Sequence, residues 1–394
     1  MSSARRRVDW KLMIGGVLVQ AALAYLVLAF PPVVLAFDVL AEAINTVISA
    51  ADSGIEFMFG PLGDASREWG FIFFVQALPI IIFFSSLMAV LYHAGIMQRL
   101  IAALAWTLRR TLGVTGTEAL VVAANVFVGQ TEAPLCVRPY LPKITRSQLM
   151  TLMVGGFATI AGSVLAAYVG LLGEEFTRHF IAASVMSAPA AFVFAKILEP
   201  ETAEPLDGGL RATWGQERAG NILDAAAAGT HDGLRLAVNV AAMLIAFVSL
   251  LRLVNLGIGG YAVIPGVPEL SAQMIMGWVL SPLAVLLGAP LSDAQVFGAL
   301  LGEKIILTEF VAYASLADLK AEAGAISDRT AVIATYALCG FANIPSIAIQ
   351  IGGLTALVPS RRAEIVELGV RAMIGGAFAS WSTAAIAGVF LPLV

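Results

Sequence analysis

Five long stretches without a single Asp, Glu, Lys or Arg dominate this chain: Leu12–Phe37, Trp69–His93, Gln148–Gly173, Thr330–Ser360 and Ala372–Val394. Each exceeds the roughly 20 residues that a helix needs to cross the hydrocarbon of a bilayer. Two shorter blocks, His179–Ala195 and Leu236–Leu251, reach the lower limit if Lys196 and Arg252 extend their charged ends toward the interface. The sequence therefore predicts an all-α polytopic membrane protein with about seven crossings. With 59% hydrophobic and 13% charged residues, against about 25% charged in soluble domains, water is not its main solvent.

Arg5, Arg6 and Arg7 precede an apolar run too long for a signal peptide, which makes that run a first span. The net charge is only -4 and no basic cluster is interleaved with aromatics, so nucleic acid is not a predicted partner. Cys136 and Cys339 are isolated in apolar sequence and suggest neither a disulfide nor a metal site.

Seven alternating spans with a cytoplasmic N-terminus place sixteen Lys and Arg inside and five outside, as the positive-inside rule expects. That count predicts a cytoplasmic N-terminus and an external C-terminus. It also requires residues 113–142 and 290–320 to enter and leave the membrane on one side, as re-entrant hairpins. Broken backbone is tolerated at membrane depth only where it is buried in protein or lines a polar cavity. Phe37–Gly60 and Ile96–Leu112 have mixed faces and read as interfacial helices, and Glu199–Asp232 reads as the one substantial soluble loop.

A weak internal repeat links the two hairpins. Val128-Gly129-Gln130-Thr131-Glu132-Ala133-Pro134 is followed by a span interrupted at Ala158–Ser163, and Ile306-Leu307-Thr308-Glu309-Phe310 by one interrupted at Gly340–Ser346. One span between the halves makes the repeat inverted, an architecture that puts a solute site near the midplane between hairpin tips and broken spans. Glu132 and Glu309 sit in apolar surroundings, where an ionisable group costs about 2.5–3.5 kcal/mol on insertion scales, so each is a functional candidate. The plainer alternative pairs Glu132 with Arg138 and Glu309 with Lys304. A carboxylate can accept from vicinal hydroxyls, and Gln130, Thr131 and Asn343 offer donors and acceptors to a heterocycle edge. Phe341 can stack on a base, although an aromatic in a span is more often simple packing. Asn125, Val128, Thr159 and Ile160 offer hard oxygens to a cation, against the plainer reading of helix-packing polar residues.

At these segments the chain resembles the concentrative nucleoside transporter family. The resemblance rests on Gly129–Leu135, Ala158–Val164, Glu309–Tyr313 and Cys339–Asn343, in order and at family-like spacing, and runs from about Trp10 to the C-terminus. It implies a bacterial-type, inner-membrane homotrimer in which a transport part moves past a scaffold as an elevator. It implies that Gln130, Thr131, Glu132 and Val164 face the base, that Glu309, Phe341, Asn343 and Ser346 face the ribose or its surroundings, and that Asn125, Val128, Thr159 and Ile160 hold Na+. Thr308 and Pro345 depart from the family, which usually has Asn and Ser there.

The chain thus divides into a scaffold part (1–95), a first transport repeat (96–200), a loop with a scaffold span (201–270) and a second transport repeat (271–394). The expected activity is Na+-driven nucleoside uptake. The alternatives are H+-coupled nucleoside symport, or transport of another polar solute by the same architecture. No His-Glu-x-x-His stretch and no Lys followed by Ser or Thr occurs, so zinc hydrolysis and Walker-type ATP use lack their residues. The chain is not expected to be an enzyme.

Overall fold

The computed structural model describes residues 2–64, 72–210, 219–261 and 270–391. Trp69, Arg67, Arg211, Arg218 and the last three residues of the predicted C-terminal span, which enter the expectations above, lie outside them.

The first span is shorter than its apolar run. Asp9 caps α1 (Trp10–Leu28) by accepting from the Lys11 and Leu12 amides, and the helix stops before Pro31, whose ring cannot continue the ladder and instead starts α2 (Pro31–Phe59). Leu12–Phe37 is therefore two helices, and the predicted interfacial stretch from Phe37 is the body of α2. Pro31–Gly63 is long and apolar enough to cross a membrane. Next come α3 (Phe73–Gln76) and α4 (Leu78–His93), then α5 (Ile96–Leu112), which is amphipathic as predicted.

The first hairpin pairs α6 (Gly116–Asn125), buried along its whole length, with a 3-10 helix over Ala133–Tyr140. The interrupted span follows as α7 (Arg146–Ala158) and α8 (Gly162–Leu172), and α9 (Thr177–Leu198) completes the unit. Thr145 starts α7 with a capping box: its hydroxyl accepts from the Gln148 amide, and the Gln148 side chain accepts from the Thr145 amide.

α10 (Ile222–Tyr261) corrects two expectations: the helix begins ten residues inside the predicted soluble loop and extends well beyond Leu236–Leu251. It packs on α4 through Gly229, where a Cβ would lie 2.5 Å from the Ser85 carbonyl oxygen, and Gly233, where one would lie 2.8 Å from Ile82 Cα and Ser85 Cβ, so only glycine permits this spacing. α11 (Ala272–Leu286), unrecognised in the sequence, lies against the second hairpin, α12 (Ala294–Ile306) and α13 (Glu309–Ala321). Thr330–Ser360 is again two helices, α14 (Asp328–Leu338) and α15 (Ile344–Leu357), and α16 (Arg362–Phe390) ends the described fold.

Among the described residues seven helices are long and apolar enough to cross a membrane. That number agrees with the sequence, but its membership does not: α2 enters the set and 330–360 leaves it. A buried ion pair closes the first unit, with Lys196 Nζ 2.6 Å from Glu118, and α16 is tied to that unit by Arg371, which bonds Glu199 at 2.8 Å and the Leu198 carbonyl at 2.6 Å. In the second unit Asp293 accepts from the Ser327 amide that opens α14. Burial works against its charge, but bonds from Ser327, Thr330 and Ser292 outweigh it and hold the carboxyl below its ordinary value.

Candidate functional site

The two interrupted spans cross at their breaks. The Phe341 amide donates to the Thr159 carbonyl at 3.3 Å, joining the second break directly to the first. Gly340 makes this approach possible: its φ is +140°, and a Cβ there would lie 2.8 Å from both the Phe157 carbonyl and Ser380 Oγ. The first hairpin tip is fastened to the same point by the Gly162 amide donating to the Phe127 carbonyl at 3.0 Å. Two discontinuities that would each expose unpaired backbone in lipid thus satisfy part of one another's needs.

Around this crossing lies a cavity of about 740 Å³. Gln130, Thr131, Glu132, Val164, Glu309, Phe341, Asn343 and Ser346, all eight residues predicted to contact substrate, line it. Glu132 turns back over its own loop, where its amide donates to the Gly129 carbonyl and Thr131 Oγ1 bonds its carboxylate at 3.3 Å. The neighbouring Gly129 leaves room for that carboxylate, which a Cβ would strike.

Glu309 is more tightly held. Its Oε1 accepts from the Tyr168 hydroxyl at 2.9 Å and its Oε2 from Asn343 Nδ2 at 2.6 Å. Asn343 also caps α15, because its Oδ1 accepts from the Ser346 amide at 2.8 Å. The bond from the Ser346 amide identifies the Asn343 oxygen, which leaves the amino group for Glu309.

The alternative ion pairs do not form. Lys304 Nζ donates instead to the Ala337 carbonyl at the end of α14, 2.8 Å away, and Arg138 is exposed, with no ion pair to Glu132 among the described residues. The two departures are locally consistent. Thr308 accepts from the Val311 amide as the cap of α13, and Pro345 occupies the first turn of α15, where its missing amide hydrogen is not needed.

Beside the tip, Asn125 is 1% exposed and neither its Oδ1 nor its Nδ2 has a partner among the described residues. Thr159 and Ile160 leave α7 next to it, with the Thr159 hydroxyl donating to the Gly155 carbonyl at 2.9 Å, so that its lone pairs remain available. The Val128 and Ile160 carbonyls accept no hydrogen bond among the described residues. An amide oxygen, a hydroxyl and free peptide carbonyls form a donor set that fits a hard cation.

Sequence reasoning missed the opposite wall. Asp232, Arg235 and Asn239 of α10 face the cavity, as do Ser85, Met88 and Tyr92 of α4. Their signal was a polar stripe at helical spacing on an otherwise apolar segment. Tyr168 gave no signal at all, because its partner is 141 residues away.

Two interrupted helices, two re-entrant hairpins and, at their meeting point, one cavity lined by both hairpin acids define a membrane transporter for a polar solute. The family described as "Na+ dependent nucleoside transporter C-terminus" matches residues 179–388, its N-terminal counterpart residues 1–62, and "Nucleoside recognition" residues 74–175. The chain is 43% identical over 399 residues to an uncharacterized transporter of Haemophilus influenzae, covering 100% of this chain and 94% of that one. It is 42% identical to the sodium/nucleoside cotransporter 1 of Rattus norvegicus, covering 98% of this chain and 61% of that one. The solved structure of CNTnw in an inward-facing, substrate-bound state is similar over 99% of this chain and 93% of that one, at 41% identity and TM-score 0.92. A variant of it in an outward-facing state covers the same shares at 40% identity and TM-score 0.91. The chain belongs to the Na+-dependent, concentrative nucleoside transporter family. It is a secondary transporter of nucleosides by alternating access, with Na+ as coupling ion, and not an enzyme.

Proposed function

We propose that the cavity at the crossed breaks is the nucleoside site, with Gln130, Thr131, Glu132 and Val164 toward the base and Glu309, Phe341, Asn343 and Ser346 toward the ribose. The observation that carries this reading is that both hairpin acids and both breaks open into one cavity, at breaks joined by the Phe341–Thr159 bond. Glu309, held between two donors on its inner side, suits a pair of ribose hydroxyls, which need a charged acceptor. Na+ sits at Asn125, Val128, Thr159 and Ile160, and its binding orders the tip that carries Gln130 to Glu132.

In this reading the moving part comprises the two hairpin units (96–200 and 271–394), and the scaffold comprises 1–95 and the 201–270 segment. The cavity lies between them, walled by α4 and α10 on one side and by the hairpins on the other. Displacement of the loaded hairpins past that wall is an elevator. The exposed apolar face of α10, including Ile245, Leu253 and Leu256, supports contact with lipid or with two further copies in a homotrimer. We place the protein in the inner membrane with α5 and its Arg99, Arg109 and Arg110 on the cytoplasmic side. If α2 lies in the interface the N-terminus shares that side, as the charge count expects, and if α2 crosses the N-terminus is external. Labelling of single cysteines at the N-terminus and in α5 distinguishes the two.

The test of the site is uptake of labelled uridine and adenosine by proteoliposomes under a Na+ gradient, with wild type, Glu309→Gln and Gln130→Ala compared. Selective loss of ribose-bearing solutes in the first variant supports the assignment. Equal loss of nucleosides and free bases counts against it.

A further inference from the structure

Glu303 is a buried acid that the nucleoside and Na+ sites do not use. It lies on the first arm of the second hairpin, 9% exposed, and its Oε2 has no hydrogen-bond partner among the described residues. The polar groups facing it are Ser315 of α13 and Gln273 of α11.

The orientation of Gln273 follows from a chain of bonds that begins at a backbone amide. Ala272 N donates to Asn255 Oδ1 at 2.8 Å, which fixes that atom as oxygen; Asn255 Nδ2 then donates to Gln273 Oε1 at 2.9 Å. Gln273 is left with its amino group for Glu303. Glu303 therefore meets a donor from Gln273 and a hydroxyl from Ser315, without the second oxygen ligand from Gln273 that a metal cation would need.

Among the described residues no cation compensates the charge. α11 and α15 contain no ionisable residue. On α13, Glu309 is held by Tyr168 and Asn343, Lys320 pairs with Glu175 and the Tyr313 hydroxyl bonds the Thr335 carbonyl, while Asp318 is one turn beyond Ser315. On α14, Arg329 bonds the Gly388 and Leu391 carbonyls, Tyr336 meets His179, and Asp328 lies at the far end of the helix. Lys304 is committed to Ala337, and none of these charges bears on the Glu303 carboxyl. With Oε2 unpartnered and no cation beside it, burial works against the charged form of this acid.

We propose that Glu303 is a proton-binding site of the second hairpin, holding one proton on Oε2 where the hairpin packs against α11. The step forms one O–H bond with a proton from water and breaks the same bond on release. Because Gln273 continues through Asn255 to α10, the site joins the moving hairpin to the proposed scaffold, and protonation makes their separation depend on pH. This use of the site rests on the elevator reading, whereas the protonation does not.

The test is infrared difference spectroscopy of the protein in lipid, across a pH titration, comparing wild type with Glu303→Gln. The expected result is a protonated-carboxyl C=O band in wild type at neutral pH that the variant lacks, with nucleoside binding retained. The same band in both proteins overturns the proposal. Should Glu303→Gln not fold, Ser315→Ala keeps the acid and removes its hydroxyl partner: a shifted band supports the site and an unmoved one overturns it. Transport is not part of this readout, so loss of the elevator reading leaves the result interpretable. Conversely, a present band with Na+-driven uptake indifferent to pH removes the elevator link alone.

Discussion

Asn343 Nδ2 stands 2.6 Å from Glu309 Oε2 while its own Oδ1 accepts the Ser346 amide at 2.8 Å, so one side chain both caps α15 and orients the acid at the tip of the second hairpin. Tyr168 approaches the other oxygen of the same carboxylate from the first repeat. The acid is thus positioned by both halves of the protein.

Glu309→Gln turns one acceptor into a donor facing Tyr168 and Asn343. A hydrogen bond to a charged group contributes about 1.5–3 kcal/mol, so the affinity for uridine should fall roughly 10- to 100-fold. Asn343→Asp should fall at least as far, because two carboxylates then meet. Transport kinetics with nucleoside and free base, beside thermal stability, separates the loss of recognition from unfolding.

Thr159→Ala removes the hydroxyl beside Asn125, and Asn125→Ala removes the unpartnered amide. Both should raise the Na+ concentration for half-maximal uptake, with Asn125→Ala the larger, while uptake at saturating Na+ changes less. An unchanged Na+ dependence in both would take these residues out of the ion site.

Lys196 is buried against Glu118 at 2.6 Å. Lys196→Met leaves that carboxylate uncompensated and should cost about 3–5 kcal/mol. Adding Glu118→Gln should recover most of the loss, which a thermal-shift double-mutant cycle measures.

Asp293 holds the start of α14 through Ser327, and its carboxyl lies below its ordinary value. A carboxyl lowered in the fold contributes stability that is complete above its unfolded value, about 3.9, and is lost as pH falls through the folded one. Asp293→Asn should therefore lower the melting temperature at neutral pH, and the gap from wild type should close in acid.

Gly340→Ala forces a Cβ into the crossing at a positive φ and against the Phe157 carbonyl. A loss of folded protein of the size seen for strained backbone, about 1–3 kcal/mol, is expected, together with weakened nucleoside binding. Gly15→Ala, which meets nothing within 4 Å, is the control.

The hairpins, the interrupted spans and the two tip acids with Gln130, Thr131, Phe341 and Asn343 were legible in the residues themselves, while Val164 and Ser346 came only through the family resemblance. An acid in an apolar run, or a Gly, Asn and Pro cluster inside one, violates a local rule that lipid enforces on every residue. Helix boundaries were less legible. The block Leu12–Phe37 has no charge to mark a break, and hydropathy does not register that Pro31 ends one ladder and starts another. The far wall of the cavity left only a faint signal, a polar stripe at helical spacing. Asp232 closes the predicted loop, Arg235 flanks the predicted span and Asn239 falls within it, and only the packing of α10 on α4 through Gly229 and Gly233 turns that stripe toward the hairpins.

The sequence by itself determined that the chain lives in a membrane, that it breaks there twice, and which residues sit at the breaks, because the cost of polar groups in hydrocarbon is paid residue by residue. Only the tertiary structure decided which partners those residues take. Lys304 bonds Ala337 and not Glu309, Glu309 bonds Tyr168 and Asn343, and Thr159 meets Phe341. Those choices depend on helix crossings between residues 33 to 182 positions apart, which no local pattern encodes.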